Sequence, residues 1–214
     1  RPSGARPGSV AHYNMSLANQ DPGGNLFRSD GDPRGCGMSK LGYQFIAGVL
    51  KHLPAISAVV SPTVNSYKRL ASSASASGTT WSPVWAALGD NNRTCLLRSV
   101  AARLEWRLPD AACNVHTALA GTLAVELDVV DRSLPAPEPC QDDLYERQAR
   151  GEPMPPRLPR DLRGALDALA ADRPLREAVG VAFCEQLLQI LHTDWDAYTA
   201  AVSDWELERY ADRV

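Results

Sequence analysis

The sequence predicts an α+β domain, with helices packed on a sheet. Two stretches, 8–17 and 103–108, alternate side-chain character with the period of two that a strand imposes. Several other stretches keep the 3.6-residue apolar period of a helix. No internal repeat is present, so solenoid and propeller architectures are excluded.

The elements follow in order. In 8–17, Val10, His12, Asn14 and Ser16 share one parity, and Ala11, Tyr13, Met15 and Leu17 share the other. One face is therefore mostly apolar, while the other carries an imidazole, an amide and a hydroxyl. Turn-forming residues fill 21–24 and 29–37. Ser39 is placed to cap a helix running to about Leu53, where Leu41, Phe45, Val49 and Leu50 recur at helical spacing and Pro54 follows. Residues 61–70 read as an irregular polar segment, and 72–78 as a small-residue loop. Residues 81–88 are a strand candidate that Pro83 restricts to an edge or a strand start.

Residues 95–100 and 103–108 are two short strands with a tight link. In the second, Arg103, Glu105 and Arg107 lie on one face and Leu104, Trp106 and Leu108 on the other. Asn114 opens a long helix with Ala118, Leu119, Leu123 and Leu127 on overlapping apolar faces. The proline-rich stretch 135–159 reads as a surface excursion. Asp161 caps a short helix in which Leu162, Leu166 and Leu169 keep the period. A longer helix is expected over 183–201 and a last short one over 204–209.

Composition narrows the function. The 214 residues hold 22 Lys+Arg against 25 Asp+Glu, a net charge of −3 without the basic excess usual in nucleic-acid binders. No apolar run reaches the ~18–20 residues that span a bilayer. The five cysteines are widely spaced and never form C-x-x-C, which argues against a zinc site or a disulfide framework and for reduced thiols in the cytoplasm. Neither a Walker A sequence nor G-x-G-x-x-G occurs.

Two readings of Arg103, Glu105 and Arg107 stand side by side. The row is either a solvated face with modest ion pairs, or a concave site where Glu105 holds a divalent cation and Arg107 an anionic substrate. His12 is likewise either a hydrogen-bonded strand histidine or a metal ligand with Asn14 and Ser16 beside it. Arg69, Arg93 and Arg98 are either ordinary surface charge or a phosphate clamp, for which the planar guanidinium is suited.

Longer motifs add a resemblance. Residues 45–70, FIAGVLKHLPAISAVVSPTVNSYKRL, resemble the glutamine synthetase family, and the ending PTVNSYKRL follows that family's signature closely. GSVAHYNMSL at 8–17, NNRTCLLR at 91–98, RLEWRLPDAACN at 103–114, DDLYE at 142–146 and SDWELERY at 203–210 are similar to family segments in the same order. The resemblance implies a curved antiparallel sheet with helices on its outer face. It also implies an ATP-dependent ligase that phosphorylates the γ-carboxylate of glutamate and lets ammonia or an amine displace phosphate, with Mg²⁺ or Mn²⁺.

Position by position, the resemblance makes His12 and Glu105 metal ligands, and Asn14, Ser16 and Arg98 nucleotide contacts. Gly8, Arg69 and Arg107 become glutamate contacts, and Arg93 the catalytic arginine beside the transferred phosphate. It further implies a cytoplasmic homo-oligomer that shares active sites between subunits, with no nucleic-acid or membrane partner. Residues 1–214 correspond on this reading to the C-terminal part of the catalytic domain, without the family's N-terminal β-grasp domain and first catalytic strands. Pro7 and Val10 depart from the family pattern, and ASSASAS after Leu70 lacks the usual loop glutamate. That loop and TTWSPV at 79–84 are more similar to the branch that uses amines, the γ-glutamylmethylamide and γ-glutamylpolyamine synthetases. The same departures motivate an alternative, a non-catalytic homologue or inactive fragment that binds nucleotide or partners.

Overall fold

The computed structural model describes residues 10–20, 24–70, 82–130, 134–135 and 138–213. Four short strands, β1 (Tyr13–Met15), β2 (Leu88–Asp90), β3 (Leu97–Val100) and β4 (Arg103–Trp106), form one open sheet in the order β1-β4-β3-β2. The α+β class holds. The β1–β4 and β4–β3 pairs are antiparallel, but β2 runs parallel to β3, so the sheet is mixed rather than antiparallel throughout. Asn91 at φ 47° turns the chain after β2, and the polar turn at 91–96 leads it back into β3 in the same direction. Ala101 and Ala102, both at positive φ, make the tight β3–β4 link expected from the sequence.

The register fixes the two faces. Tyr13, Trp106, Leu97 and Leu88 form one row, in which Trp106, Leu97 and Leu88 are fully buried. The next row, Asn14, Glu105, Arg98 and Gly89, lies on the opposite face.

Helix α1 (Lys40–Lys51) starts where expected, with the Ser39 hydroxyl accepting from the Gly42 N–H. Pro54 does not simply follow its end. It sits in the first turn of α2 (Leu53–Val60), where a missing N–H costs nothing. Nearly every side chain of α2 is buried, so α2 has no polar face to mark it in sequence. Residues 61–70 are not irregular: α3 (Val64–Leu70) is a short helix that Thr63 opens, its hydroxyl accepting from the Ser66 N–H at 3.1 Å. The expected loop at 72–78 lies outside the described residues. The 81–88 strand reduces to a single bridge at Trp85 before β2.

Helix α4 (Val115–Val130) forms as expected but turns its leucines outward: Leu119, Leu123 and Leu127 are 44%, 56% and 58% exposed. Its buried face is Ala118, Gly121, Thr122, Val125 and Glu126. Small residues win that face because α1 approaches closely. A Cβ on Gly48 would lie 2.2 Å from the Val125 carbonyl oxygen.

The described part of the 135–159 stretch runs over the surface as expected, with only Leu144 and Leu158 buried, and backbone hydrogen bonds pin it beside the sheet. Cys140 donates to the Leu88 carbonyl, Ala86 to Pro156 and Leu158 to Val84. Inside it Asp143 caps α5 (Leu144–Ala149), and Leu144 is fully buried. Asp161 caps α6 (Leu162–Ala171) as expected. An unforeseen α7 (Arg173–Val179), capped by Asp172, precedes α8 (Val181–Ala200), and Gly180 at φ 114° makes the corner between them. A Ser203/Glu206 capping box opens α9 (Asp204–Tyr210). No single helix among the described residues is long and apolar enough to cross a membrane.

Two predictions follow from the α1–α4 seam. Gly48→Ala should cost about 1–3 kcal/mol, because backbone must move, although alanine favours the helix. Gly121→Ala meets side chains rather than backbone, Ile56 Cδ1 at 3.3 Å and Val59 Cγ1 at 3.7 Å, and should lie within about ±1 kcal/mol of wild type. Urea denaturation separates them, and equal cost would contradict the seam. The second concerns Glu126. Its Oε1 has no hydrogen-bond partner, and burial pushes its carboxyl up to about 8. A folded pKa raised above the usual 4.5 means stability that is full below 4.5 and lost as the pH rises through 8. Glu126→Gln should flatten that fall, so that variant and wild type converge near pH 4.5 and the variant melts higher at pH 8.5.

Candidate active site

The polar face of the sheet centres on Glu105, one-tenth exposed in the middle of the sheet. Its Oε2 accepts from Arg98 Nη1 at 2.7 Å, and its Oε1 lies 3.1 Å from His12 Nδ1. The register brings these groups together. Glu105 faces Asn14 on β1 and Arg98 on β3, and His12 precedes β1 by one residue. Ala11 extends that pairing, its N–H donating to the Pro109 carbonyl at 3.0 Å. Asn91, at the turn after β2, accepts from Arg98 Nε and Nη2, so the guanidinium fork is fixed between an amide and a carboxylate.

Two further guanidinium groups are buried nearby. Arg107 Nη1 donates to the carbonyls of Arg93 and Cys95. Arg69, from the last turn of α3, donates through Nη2 to the Leu108 carbonyl at 2.7 Å. Asp110 acts electrostatically on Arg69, and Glu105 on Arg107. Tyr145 of α5 lies close enough to Arg107 to feel its charge, and its hydroxyl donates to the Ser82 carbonyl at 2.9 Å.

The field follows from these positions. Burial raises the Glu105 carboxyl, but the Arg98 hydrogen bond and charge, with His12 and Arg107, outweigh it and hold the group below the usual carboxylate range. Burial, then the Arg107 charge, lowers His12 below 6.5 despite Glu105, so the imidazole is neutral at pH 7. A neutral imidazole keeps a lone pair for a metal.

Of the residues singled out in sequence, His12, Asn14, Glu105, Arg98, Arg107 and Arg69 converge on this face. Arg93 joins through its carbonyl, while its residue is exposed at the turn before β3. Ser16 follows the end of β1 and is exposed. Gly8 lies outside the described residues. Asn91, Asp110 and Tyr145 received no role from sequence, although each stands inside a quoted motif: the N-N-R turn, the R-L-P-D ending and D-D-L-Y-E.

The donors fit a divalent cation in part. One imidazole and one carboxylate meet, with an exposed amide beside them. Among the described residues no group of three or more His, Cys, Asp or Glu side chains could hold a metal. Such a half-site suits Mg²⁺ or Mn²⁺, which keep waters and phosphate oxygens as ligands rather than a full protein cage.

Comparison with known proteins gives a consistent picture. The family described as "Glutamine synthetase, catalytic domain" matches residues 1–210. A glutamate–methylamine ligase of Methyloversatilis universalis is 42% identical over 98% of this chain and 47% of its own length. The glutamine synthetase of Halobacterium salinarum is 37% identical over the whole chain and 46% of its own length. A solved structure titled "GmaS/ADP complex-Conformation 1" superposes with a TM-score of 0.85 at 35% identity, covering 96% of this chain and 46% of the other. The chain thus spans about half the length of the curated relatives it matches.

The electrostatics of the face predict opposite responses of His12 in the metal-free protein. Removing the Glu105 charge (Glu105→Gln) should lower the His12 pKa further, and removing the Arg107 charge (Arg107→Gln) should raise it toward 6.5. A ¹⁵N NMR titration of the imidazole reads both, and shifts of the same sign in the two variants would contradict this arrangement.

Proposed function

We propose, on the footing that this chain belongs to the glutamine synthetase catalytic-domain family, that its parent protein is an ATP-dependent ligase joining the γ-carboxylate of glutamate to ammonia or an amine. Residues 1–214 are then the C-terminal part of its catalytic domain, in a cytoplasmic homo-oligomer with shared active sites. The observation that carries the reading is the Glu105 cluster. One carboxylate holds His12 and Arg98, with Asn14 beside it and Arg107 and Arg69 buried close by.

The chain's own residues divide the work as follows. Arg69 and Arg107, held by backbone carbonyls, present fixed positive charge to the carboxylates of glutamate. Gly8 adds a backbone contact. Arg98, locked between Asn91 and Glu105, and the exposed Asn14 and Ser16 face the nucleotide. Arg93 stands exposed where charge develops on the transferring phosphoryl group. His12 and Glu105 would hold Mg²⁺ or Mn²⁺, which when bound neutralises phosphate oxygens. Glutamate becomes γ-glutamyl phosphate, and the amine then displaces phosphate.

An amine, methylamine foremost, is the acceptor this reading favours. The 42% identical relative is named a glutamate–methylamine ligase, and no carboxylate follows Leu70 in ASSASAS to attract and deprotonate ammonium.

Phosphate release from ATP and glutamate by the full-length protein, with ammonia, methylamine or a polyamine in turn, tests this. Methylamine should give the highest kcat/KM. Glu105→Gln should lower kcat by at least about 100-fold, because an amide gives a hard cation no full charge. Arg107→Lys should raise the glutamate KM about 10-fold or more with metal binding kept, because lysine loses the fork. ATP binding without phosphate release from any acceptor would establish the non-catalytic reading instead.

A further inference from the structure

Cys95 and Cys140 stand far apart in sequence but meet at the edge of the sheet. Cys140 is held by its backbone: its N–H donates to the Leu88 carbonyl at 2.7 Å, and its carbonyl accepts from Asn92 Nδ2 at 3.1 Å. Cys95 opens the approach to β3, two residues after Arg93. Both close on Gly89, where a Cβ would lie 2.7 Å from the Cys140 carbonyl oxygen and 3.0 Å from Cys95 Sγ. Cys140 is close enough to act on the Cys95 thiol, which burial and that neighbour push up, while the Cys140 thiol itself donates to the Asp142 carbonyl at 3.7 Å. Of the other three cysteines, Cys113 meets the Tyr13 hydroxyl, and Cys36 and Cys184 are buried, Cys184 within α8.

From this juxtaposition we infer that Cys95 and Cys140 are a redox pair, closing a reversible disulfide when the protein meets a hydroperoxide. The exposures assign the order. Cys140 is partly exposed and Cys95 fully buried, so Cys140 meets the oxidant first. Its sulfur attacks the peroxide, the O–O bond breaks, and an alcohol or water leaves, giving a sulfenic acid at Cys140. The Cys95 sulfur then attacks the Cys140 sulfur and the S–OH bond breaks. The hydroxide departs as water with the Cys95 proton. Two thiols supply the two electrons that reduce one hydroperoxide, and a dithiol reductant reverses the bond by exchange.

The consequence reaches the polar face. The Cys95 carbonyl accepts from Arg107, and Arg93 lies one residue beyond Thr94, whose hydroxyl accepts from the Leu144 N–H. A Cys95–Cys140 bond therefore clamps the proline-rich segment onto the turn that carries Arg93.

The test treats the full-length protein with hydrogen peroxide, alkylates free thiols in denaturant and maps the peptides by mass spectrometry. The expected product is a Cys95–Cys140 cross-linked peptide, about 2 Da lighter than the two thiol peptides together and absent after dithiothreitol. Cys140→Ser should abolish that peptide, and Cys184→Ser should leave it unchanged. Amide exchange at residues 93–95 and 140–144 should slow severalfold in the oxidised protein. Recovery of Cys95 as the alkylated thiol with Cys140 over-oxidised, or of either residue bridged to another cysteine, overturns the pairing. Unchanged exchange in a cross-linked sample overturns the clamp.

Discussion

The polar face depends on the carboxylate of Glu105. A charge set into the middle of a sheet must be compensated, because removal from water costs several kcal/mol, on the order of the stability of a small domain. Arg98 and His12 supply that compensation directly. Their reach from neighbouring strands holds only in one register, Asn14 against Glu105 against Arg98. A one-residue slip would carry all three groups to the core face and bring Trp106 and Leu97 into water. The same requirement that keeps Trp106 buried therefore keeps the site assembled.

The helices answer a different constraint. His52, buried where α1 meets α2, places Nδ1 2.6 Å from Asp172 and Nε2 3.1 Å from Asp128. Lys51 also reaches Asp128, at 2.7 Å. One imidazole thus ties the end of α1 to α4 and to the residue that caps α7. With Gly48 allowing α1 against the α4 backbone, it sets how α1, α4 and α7 pack together. The outward leucines of α4 follow, since a seam of glycine, alanine and threonine leaves the larger residues on the other side.

The elements legible in sequence carried local markers. Ser39 and Asp161 cap their helices through hydrogen bonds to residues three positions on, which a sequence displays directly. The polar parity of β1 and β4 was equally plain, because alternation is a property of a single strand. What stayed hidden had no local signature. Helix α2 is apolar on all sides, α3 is seven residues long, and β2 runs parallel to β3 without the crossover helix that usually announces such a pair.

The sequence by itself determined the α+β class, the starts of α1, α4, α6 and α9, the two polar strand faces and the family, because each is written in spacing or in ordered motifs. Only the tertiary structure decided which of those polar groups meet. That His12 and Arg98 both turn to Glu105, that Asn91 and Asp110 stand behind the arginines, and that Cys140 closes on Cys95 depends on strand register and on how closely backbones approach at Gly48 and Gly89. Contacts between residues far apart in the chain are settled by packing the whole core at once, and no local pattern encodes them.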